Sequence, residues 1–228
     1  MAYLLQHLIH LVFPNLCIVC NENLVGGEES VCFSCLSKLP YTNFHLQQAN
    51  EVEKRFWGKL PVEHATSLYH YQKATAGQHL LHALKYKGET QVGVLLGRQL
   101  GINLSQSSFY QDIDLIVPVP LHPKKYRKRG YNQSECICEG IAEVLQVAVD
   151  ATHLVRLIEN PTQTRKGVYE RWENTKGIFG LTDTAAFAGK HILLVDDVLT
   201  TGSTLEACAQ TILEADCARI SVVTLALA

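Results

Sequence analysis

The sequence lacks the features that would draw the whole protein to nucleic acid or to a membrane. Its 228 residues carry a formal net charge of -2, so no global field attracts an anionic polymer. No apolar run reaches the roughly 18 residues that a membrane span needs. Residues 1–14 have neither the basic start nor the small-residue cleavage site of a secretory signal. Any basic function must therefore be local, and no membrane span is expected.

Several catalytic motifs are also missing. The sequence has no GxxxxGK[ST] motif, which excludes an ordinary P-loop NTPase. None of its ten histidines lies in a recognisable motif, and no Ser-His-Asp or Cys-His constellation is evident. Ala2 follows Met1 where an amidotransferase would carry a nucleophilic cysteine, so a glutamine-hydrolysing half is not expected. No hood domain is expected beyond the last predicted strand.

Eight cysteines without a secretory signal indicate a reducing, cytoplasmic location and favour metal ligation over disulfides. Two CxxC knuckles follow one another near the N-terminus, and four thiolates can close a tetrahedral structural Zn²⁺ site. The predicted ligands are Cys17, Cys20, Cys32 and Cys35. The alternative is a set of free or redox-active thiols, which a lone CxxC would favour. We expect core packing for the other four, Cys136, Cys138, Cys208 and Cys217.

Three parts of the chain differ in pattern. Residues 1–40 are predicted to form an amphipathic N-terminal helix and the zinc module. Residues 41–60 are polar and suit a linker or an irregular wrap. Residues 61–228 alternate strands with helices, which predicts a parallel α/β sheet. The predicted strands cover 65–71, 114–120, 152–158, 191–197 and 219–227, and the predicted helices cover 76–86, 90–102, 133–147 and 203–215.

The stretch "HILLVDDVLTTGSTLEAC" carries the clearest chemical signal. Its apolar run ends in Asp196 and Asp197, at the carboxyl end of a strand, where open α/β sheets bind ligands. A hydroxyl-rich turn then opens a helix, with Ser203 and Glu206 spaced as a capping box. The predicted phosphate-binding residues are Thr200, Thr201, Gly202, Ser203 and Thr204. Free N–H groups and the helix dipole suit a phosphate there.

Carboxylates repel a phosphate, but they accept hydrogen bonds from a vicinal diol. The pattern therefore predicts a ribose 5-phosphate, with its phosphate on the turn and its hydroxyls on the acids. The acids could also help to hold Mg²⁺, directly or through water. The alternative is a solvated loop with a capping serine.

The motif "ILLVDDVLTTGST" resembles the phosphoribosyl pyrophosphate (PRPP) motif of type I phosphoribosyltransferases. Together with the tandem CxxC head, "LKYKG", "VPVPLHPKKYRKRGYNQSE" and "QTRKGVYERWENTKGIF", the chain resembles the ComF family of competence-linked proteins over almost its full length. This resemblance implies an α/β, parallel-sheet type I phosphoribosyltransferase-like fold with a small N-terminal zinc-binding module. It also implies a role in natural competence, DNA uptake and transformation, with single-stranded DNA and a ComFA-like helicase as expected partners.

The implied reaction displaces pyrophosphate from C1 of PRPP by an unknown acceptor, through an oxocarbenium-like state. It needs Mg²⁺ and cations on the leaving group but no covalent nucleophile. Asp196 and Asp197 are the expected catalytic residues, and the pattern does not decide which of them acts as a base. The alternatives are a non-catalytic module that binds single-stranded DNA and a helicase, or a regulator that senses PRPP or a nucleotide.

Three basic segments could serve the same pocket. The loop after Pro120 could contact pyrophosphate, single-stranded DNA or only solvent. It carries Lys124, Lys125, Arg127, Lys128 and Arg129, interleaved with Tyr126 and Tyr131. Residues 159–177 occupy the place of a flexible loop that closes over the site in the superfamily, and the alternative is a mobile surface loop. On closure, Gln163, Thr164, Arg165 and Lys166 could contact pyrophosphate, and Arg165 and Lys166 could instead contact nucleic acid. Arg171 and Asn174 recur in the ComF pattern. Lys85 and Lys87 suit either a helix dipole or a pocket.

Overall fold

The computed structural model describes residues 15–157 and 177–228. Its main sheet has four parallel strands in the order β1-β6-β5-β2. They are β1 (Val62–His70), β2 (Leu115–Pro118), β5 (His191–Leu199) and β6 (Arg219–Leu227). Each carries a run of at least four consecutive buried residues, as strands covered on both faces do. The predicted α/β class and parallel sheet are confirmed.

The helices of the described part connect and cover these strands. They are α1 (Phe33–Ser37), α2 (Glu51–Lys54), α3 (Ala76–Tyr86), α4 (Thr90–Ser105), α5 (Pro123–Arg129), α6 (Gln133–Leu145) and α7 (Ser203–Leu213), with 3₁₀ turns at Phe44–Leu46 and Ser108–Tyr110. The predicted helices at 76–86, 90–102, 133–147 and 203–215 all form, with bounds within a few residues. Asn132 caps α6, because its side chain accepts a hydrogen bond from the Ser134 N–H.

The sheet separates two hydrophobic cores. Leu193 and Val195 of β5 pack in one core with α3, α4 and α6, whereas Ile192 and Leu194 pack in the other with α7. This alternation follows from the two-residue period of a strand. The start of α6 meets the acid pair near the end of β5, because Ser134 hydrogen-bonds Asp196.

The strand predicted at 152–158 does not join the main sheet. It shortens to β3 (Leu154–Arg156), which pairs antiparallel with β4 (Phe179–Leu181) in a separate two-stranded sheet. The chain leaves the main sheet after an isolated bridge between Ile116 and Val149. Asp150 then turns it, because its carboxylate accepts hydrogen bonds from the backbone N–H groups of Thr152 and His153. An apolar period cannot reveal which sheet a strand joins.

Residues 41–60 wrap against the body of the protein. Val52 and Phe56 are fully buried in the core that contains α7. Asn50 is also buried; it caps α2 and donates a hydrogen bond to the Ala65 carbonyl of β1. Of the two predicted alternatives, these contacts favour the irregular wrap over the linker.

The predicted N-terminal helix lies in residues 1–14, outside the described residues. None of the helices within residues 15–157 and 177–228 combines the length and the hydrophobicity that crossing a bilayer requires.

Candidate functional site: an acid pair and a hydroxyl-rich turn

Asp196 and Asp197 lie inside a strand and not beyond its end. The predicted strand stops at residue 197, but β5 continues to Leu199. Its ladder with β6 runs on through the pairs Asp196–Thr224 and Leu199–Leu227. Because β6 extends this far, the backbone of the acids is fixed by sheet hydrogen bonds. The two carboxylates are therefore held more rigidly than loop residues would be.

Asp196 is enclosed by polar contacts from a second element. Its Oδ1 accepts hydrogen bonds from Ser134 Oγ at 3.1 Å and from the Asp197 N–H at 2.8 Å. Burial raises the pKa of Asp196 to about 7, with the nearby Asp197 charge adding to the effect, although Lys85 and Ser134 oppose it. Ser134 is not among the site residues predicted from the sequence, and the fold brings it to Asp196. The carboxyl of Asp196 can thus exchange a proton near neutral pH.

Asp197 has a cationic partner from α3. Lys85 Nζ lies 2.9 Å from Asp197 Oδ1, and both side chains are largely shielded from solvent. The sequence left Lys85 between a helix-dipole role and a pocket role, and this ion pair favours the pocket. Only the fold could decide this, because more than 100 residues separate the two positions.

The hydroxyl-rich turn runs from Thr200 to Thr204 and opens α7. Gly202 is the N-cap, with φ of 84°, a left-handed conformation that favours glycine. Thr201 and Ser203 hydroxyls lie 3.0 Å apart. Asp196 and residues 198–205 line one small recess. The recess therefore brings Asp196 together with the predicted phosphate-binding residues, whereas Asp197 is not among its lining residues.

The predicted capping box is absent from this turn. Ser203 is the first residue of α7, so its hydroxyl is one position too late to cap the helix, and Gly202 provides no side-chain cap. Glu206 pairs with Lys59 Nζ at 2.5 Å. The N-cap thus supplies no side-chain acceptor to α7, and the Ser203 N–H makes only a long hydrogen bond of 3.5 Å to Thr201 Oγ1. N–H groups at a helix start suit an anion.

The wrap at 50–60 borders the same turn, which the sequence did not indicate. Arg55 Nη1 donates a hydrogen bond to the Thr200 carbonyl at 3.1 Å. Phe56 packs beside Gly202, 3.7 Å from where a Cβ on that glycine would lie. No sequence motif marks these residues, and only the tertiary contacts could have found them.

The basic segment after Pro120 is a helix and not a loop. Pro123 occupies the first turn of α5, and the His122 side chain accepts a hydrogen bond from the Lys124 N–H. Gly130, with φ of 85°, ends the helix.

The five cations, Lys124, Lys125, Arg127, Lys128 and Arg129, lie on a helix without buried residues, although Arg129 is less exposed than the others. Arg129 stacks over the ring of Tyr86, 5.7 Å from its centroid. Tyr131, just after α5, donates a hydrogen bond to the Leu84 carbonyl of α3.

The helix α5 is thereby tied to the end of α3 that carries Lys85. The predicted contacts Gln163, Thr164, Arg165 and Lys166, together with Arg171 and Asn174, lie outside the described residues.

The four N-terminal cysteines form a separate cluster. The sulfurs of Cys17, Cys20, Cys32 and Cys35 all lie within 4.8 Å of one another. Cys20 and Cys32 sulfurs are 3.7 Å apart, and a tetrahedral site with Zn–S bonds of about 2.3 Å would place sulfurs about 3.8 Å apart. Burial opposes ionisation of Cys17, but backbone N–H groups outweigh it and lower its pKa to about 6. This cluster could hold a metal ion.

Comparison with known proteins agrees with the fold and the motifs. The family described as "Phosphoribosyl transferase domain" matches residues 141–228, which include β5, the acid pair and the turn. The class indicated for residues 141–228 is therefore a phosphoribosyl transferase domain, which agrees with the parallel α/β sheet. Among solved structures, the glutamine phosphoribosylpyrophosphate amidotransferase from Bacillus subtilis aligns with a TM-score of 0.44 and 15% identity, over 64% of this chain and 30% of that chain.

Relatives that align over most of both chains give a more specific match. The DNA utilization protein YhgH of Escherichia coli K12 is 28% identical over 93% of this chain and 96% of its own length. Competence protein F of Haemophilus influenzae is 26% identical, covering 83% of this chain and 86% of its own length. Competence protein ComFC of Bacillus subtilis is also 26% identical, covering 84% and 81%. The predicted relationship to the ComF family is confirmed.

Proposed function

We propose that this protein binds PRPP or ribose 5-phosphate with Mg²⁺ and acts as a phosphoribosyltransferase in competence and DNA utilisation. The observation that carries the proposal is the single recess lined by Asp196 and by the turn that opens α7. A phosphate on the turn and a sugar on the acids would occupy the two ends of this recess. The names of the relatives support the link to competence and DNA utilisation.

The residues of the site suit a reaction at C1 of the sugar. The N–H groups at the start of α7 and the hydroxyls of the turn would hold the 5-phosphate, while Asp196 and Asp197 would accept hydrogen bonds from the 2- and 3-hydroxyls. A fixed ribose would favour an oxocarbenium-like state by position and electrostatics. Asp196, with its pKa near 7, has the proton affinity that a general base needs.

The oxygen donors of the acid pair fit a magnesium ion that arrives with the pyrophosphate, because Mg²⁺ prefers carboxylate, phosphate and water ligands. When bound, Mg²⁺ would supply charge neutralisation on the leaving pyrophosphate. For the N-terminal cluster we propose Zn²⁺, because four thiolates at tetrahedral spacing, three of them buried, leave no open position for catalysis.

Ligand binding can be tested by thermal denaturation. PRPP with Mg²⁺, at concentrations well above its Kd, should raise the Tm by roughly 5–10 °C. The double variant Asp196→Asn, Asp197→Asn should lose this shift, because amides replace the acceptors of the diol. Glu139→Gln with Glu214→Gln, at two exposed carboxylates, should keep it. If PRPP did not shift the intact protein, the ribose-phosphate proposal would be wrong.

Turnover is a separate question from binding. A pyrophosphate-release assay with PRPP, screened across bases, amines and DNA ends, would separate an enzyme from a sensor. Release that needs one acceptor class, and that fails in the Asp196→Asn, Asp197→Asn variant, would establish transfer. A PRPP-dependent Tm shift without release of pyrophosphate would instead support the regulatory alternative.

One observation favours a second candidate function, the binding of single-stranded DNA. Tyr86 is 70% exposed, and Arg129 already stacks on its ring, beside a helix that presents four further cations. Exposed rings and cations on one surface suit bases and phosphates of a single strand.

This second candidate predicts salt-sensitive DNA binding through α5. Reversing its five charges to Glu should remove most binding to single-stranded oligonucleotides at low salt and flatten the salt dependence. A control with Lys38→Glu and Lys73→Glu, two exposed lysines outside α5, should bind as the unchanged protein does. Equal binding by all three proteins would exclude α5 as a DNA site.

A further inference from the structure

The hydroxyl-rich turn has carboxylates near it, which makes it a poor site for a dianion on its own. Asp196 lines the recess, and Asp197 follows it in β5. Glu206 is in the first turn of α7, with its Oε1 3.4 Å from where a Cβ on Gly202 would lie. Helix dipoles contribute only about half a unit of charge at an N-terminus. A phosphate bound there needs the acids to be neutralised or needs a cation of its own.

The wrap at 50–60 supplies a lysine that neutralises one acid and an arginine that lies beside the turn. Lys59 Nζ lies 2.5 Å from Glu206 Oε1 and thereby neutralises the acid in the first turn of α7. Arg55 hydrogen-bonds the Thr200 carbonyl, so its guanidinium lies at the first residue of the turn. Unlike Lys59 and Lys85, Arg55 has no carboxylate partner among the described residues.

The backbone holds Arg55 in this position. It is the C-cap residue of α2, whose N-cap Asn50 is buried against β1, and the next residue, Phe56, is fully buried beside Gly202. The side chain itself is exposed, so its remaining N–H donors are open to a ligand. A guanidinium has five donors in a planar fork, which matches the oxygens of a phosphate.

We propose that Arg55 is a phosphate-binding residue of this site and that Lys59 acts as its positioning partner by masking Glu206. Arg55 contacts the terminal phosphate monoester of the sugar on the side opposite the acids. Lys59 does not touch the ligand; it removes the repulsion that Glu206 would otherwise exert. This inference rests on the proposed binding of a ribose phosphate and assigns to it a cation that comes from outside residues 61–228.

Calorimetric titration of the full chain with ribose 5-phosphate tests the proposal. Arg55→Gln should weaken binding roughly tenfold, because it removes a charge-assisted hydrogen bond. Arg55→Lys should recover part of the loss, since it keeps the charge without the fork. The matched control is Lys54→Gln, an exposed neighbouring cation on the same short helix, which should bind as the unchanged protein does. Thermal melts without ligand should be alike for all variants.

Two further readouts separate a phosphate contact from a purely structural one. If Arg55 contacts the phosphate, Arg55→Gln lowers the slope of log Kd against log salt, whereas loss of the Thr200 contact alone leaves that slope unchanged. For Lys59, Lys59→Gln should weaken binding about threefold, and Lys59→Gln with Glu206→Gln should restore it, because the like charge is gone. The double variant Arg55→Gln with Glu206→Gln should still bind ribose 5-phosphate more weakly than the unchanged protein does.

The outcomes are distinct. If the unchanged protein did not bind ribose 5-phosphate, both this inference and the proposed function would be overturned. If it bound and Arg55→Gln stayed within twofold of it at every salt concentration, only the role of Arg55 would be overturned. If the Lys59→Gln defect persisted when Glu206 was also neutralised, the masking role of Lys59 would be wrong.

Discussion

At the scale of single residues, His191 shows how a catalytic pattern can be structural. Its Nε2 lies 2.9 Å from Ser221 Oγ and its Nδ1 lies 3.1 Å from Asp112 Oδ1. This is the connectivity of a serine-hydrolase triad. However, Ser221 has no exposed surface and His191 is 1% exposed, so a substrate cannot reach the hydroxyl. The three residues satisfy one another's hydrogen bonds at the start of β5, far along the strand from the acid pair.

This network predicts acid-sensitive stability. Burial lowers the pKa of His191 below its usual 6.5, and the Arg219 charge adds to this, although Asp112 and Glu63 act in the opposite direction. Below pH 6.5 the unfolded chain therefore binds more protons than the folded protein. The contribution to stability is present above pH 6.5 and is lost as pH falls through the folded pKa.

Denaturant unfolding between pH 8 and pH 5 would measure this effect. His191→Gln should be less stable than the unchanged protein at pH 8 but should lose less stability on acidification. His79→Gln, at an exposed histidine, should follow the unchanged protein. Parallel pH profiles for all three proteins would contradict the prediction.

At the scale of elements, the crossing of α4 and α6 is the closest packing in the described part that depends on glycine. A Cβ on Gly97 would lie 2.2 Å from the Ile137 carbonyl oxygen, and a Cβ on Gly140 would lie 2.1 Å from the Val94 carbonyl oxygen. Both neighbours are backbone atoms, which cannot rotate away. The crossing matters for the site because α6 carries Ser134, which hydrogen-bonds Asp196.

Gly140→Ala should therefore destabilise the protein by about 2–4 kcal/mol, because the helices must separate to admit the methyl group. Gly26→Ala is the control, since a Cβ there meets open space and its φ is not in the left-handed region. Urea unfolding would compare the two variants. A Gly140→Ala variant as stable as Gly26→Ala would mean that the crossing can relax at little cost.

At the scale of the whole molecule, the cysteine cluster and the α/β body share one core. Cys17, Cys32 and Cys35 belong to the same hydrophobic cluster as Leu80 and Leu96 of α3 and α4. Arg98 of α4 reinforces this contact, because it pairs with Glu29 beside the second knuckle and with Glu143 of α6. Loss of the metal site should consequently destabilise the α/β body as well as the cysteine cluster.

Metal removal tests this coupling. Metal analysis should find about one equivalent of zinc, which Cys17→Ser with Cys20→Ser should lose. The same variant should lower the Tm of the main transition by roughly 5–10 °C, because the metal no longer holds the cysteines that pack in the shared core. Cys217→Ser, at a cysteine outside the cluster, should keep the zinc. A zinc-free protein that melted at an unchanged temperature would show that the module is independent of the body.

Much of the fold and part of the site were predictable from the sequence. The helices at 76–86 and 203–215 and the buried strand before Asp196 followed from local apolar periods and breaker residues, which act over a few positions. The short basic helix after Pro120 was missed because its seven residues have no apolar face, and the antiparallel pairing of β3 was missed because a period does not identify a partner strand. The capping box failed because a spacing of three cannot locate the first helical residue to within one position.

The sequence by itself determined the chemistry that is contiguous along the chain: two carboxylates, a glycine and four hydroxyl residues within nine positions, and two CxxC knuckles. Only the tertiary structure decided which distant groups complete them. Lys85 pairs with Asp197, Ser134 hydrogen-bonds Asp196, and Arg55 reaches Thr200. Such contacts join residues that lie between 62 and 145 positions apart. The physical reason is that sheet order and helix packing bring these residues together, and neither is encoded in a local pattern.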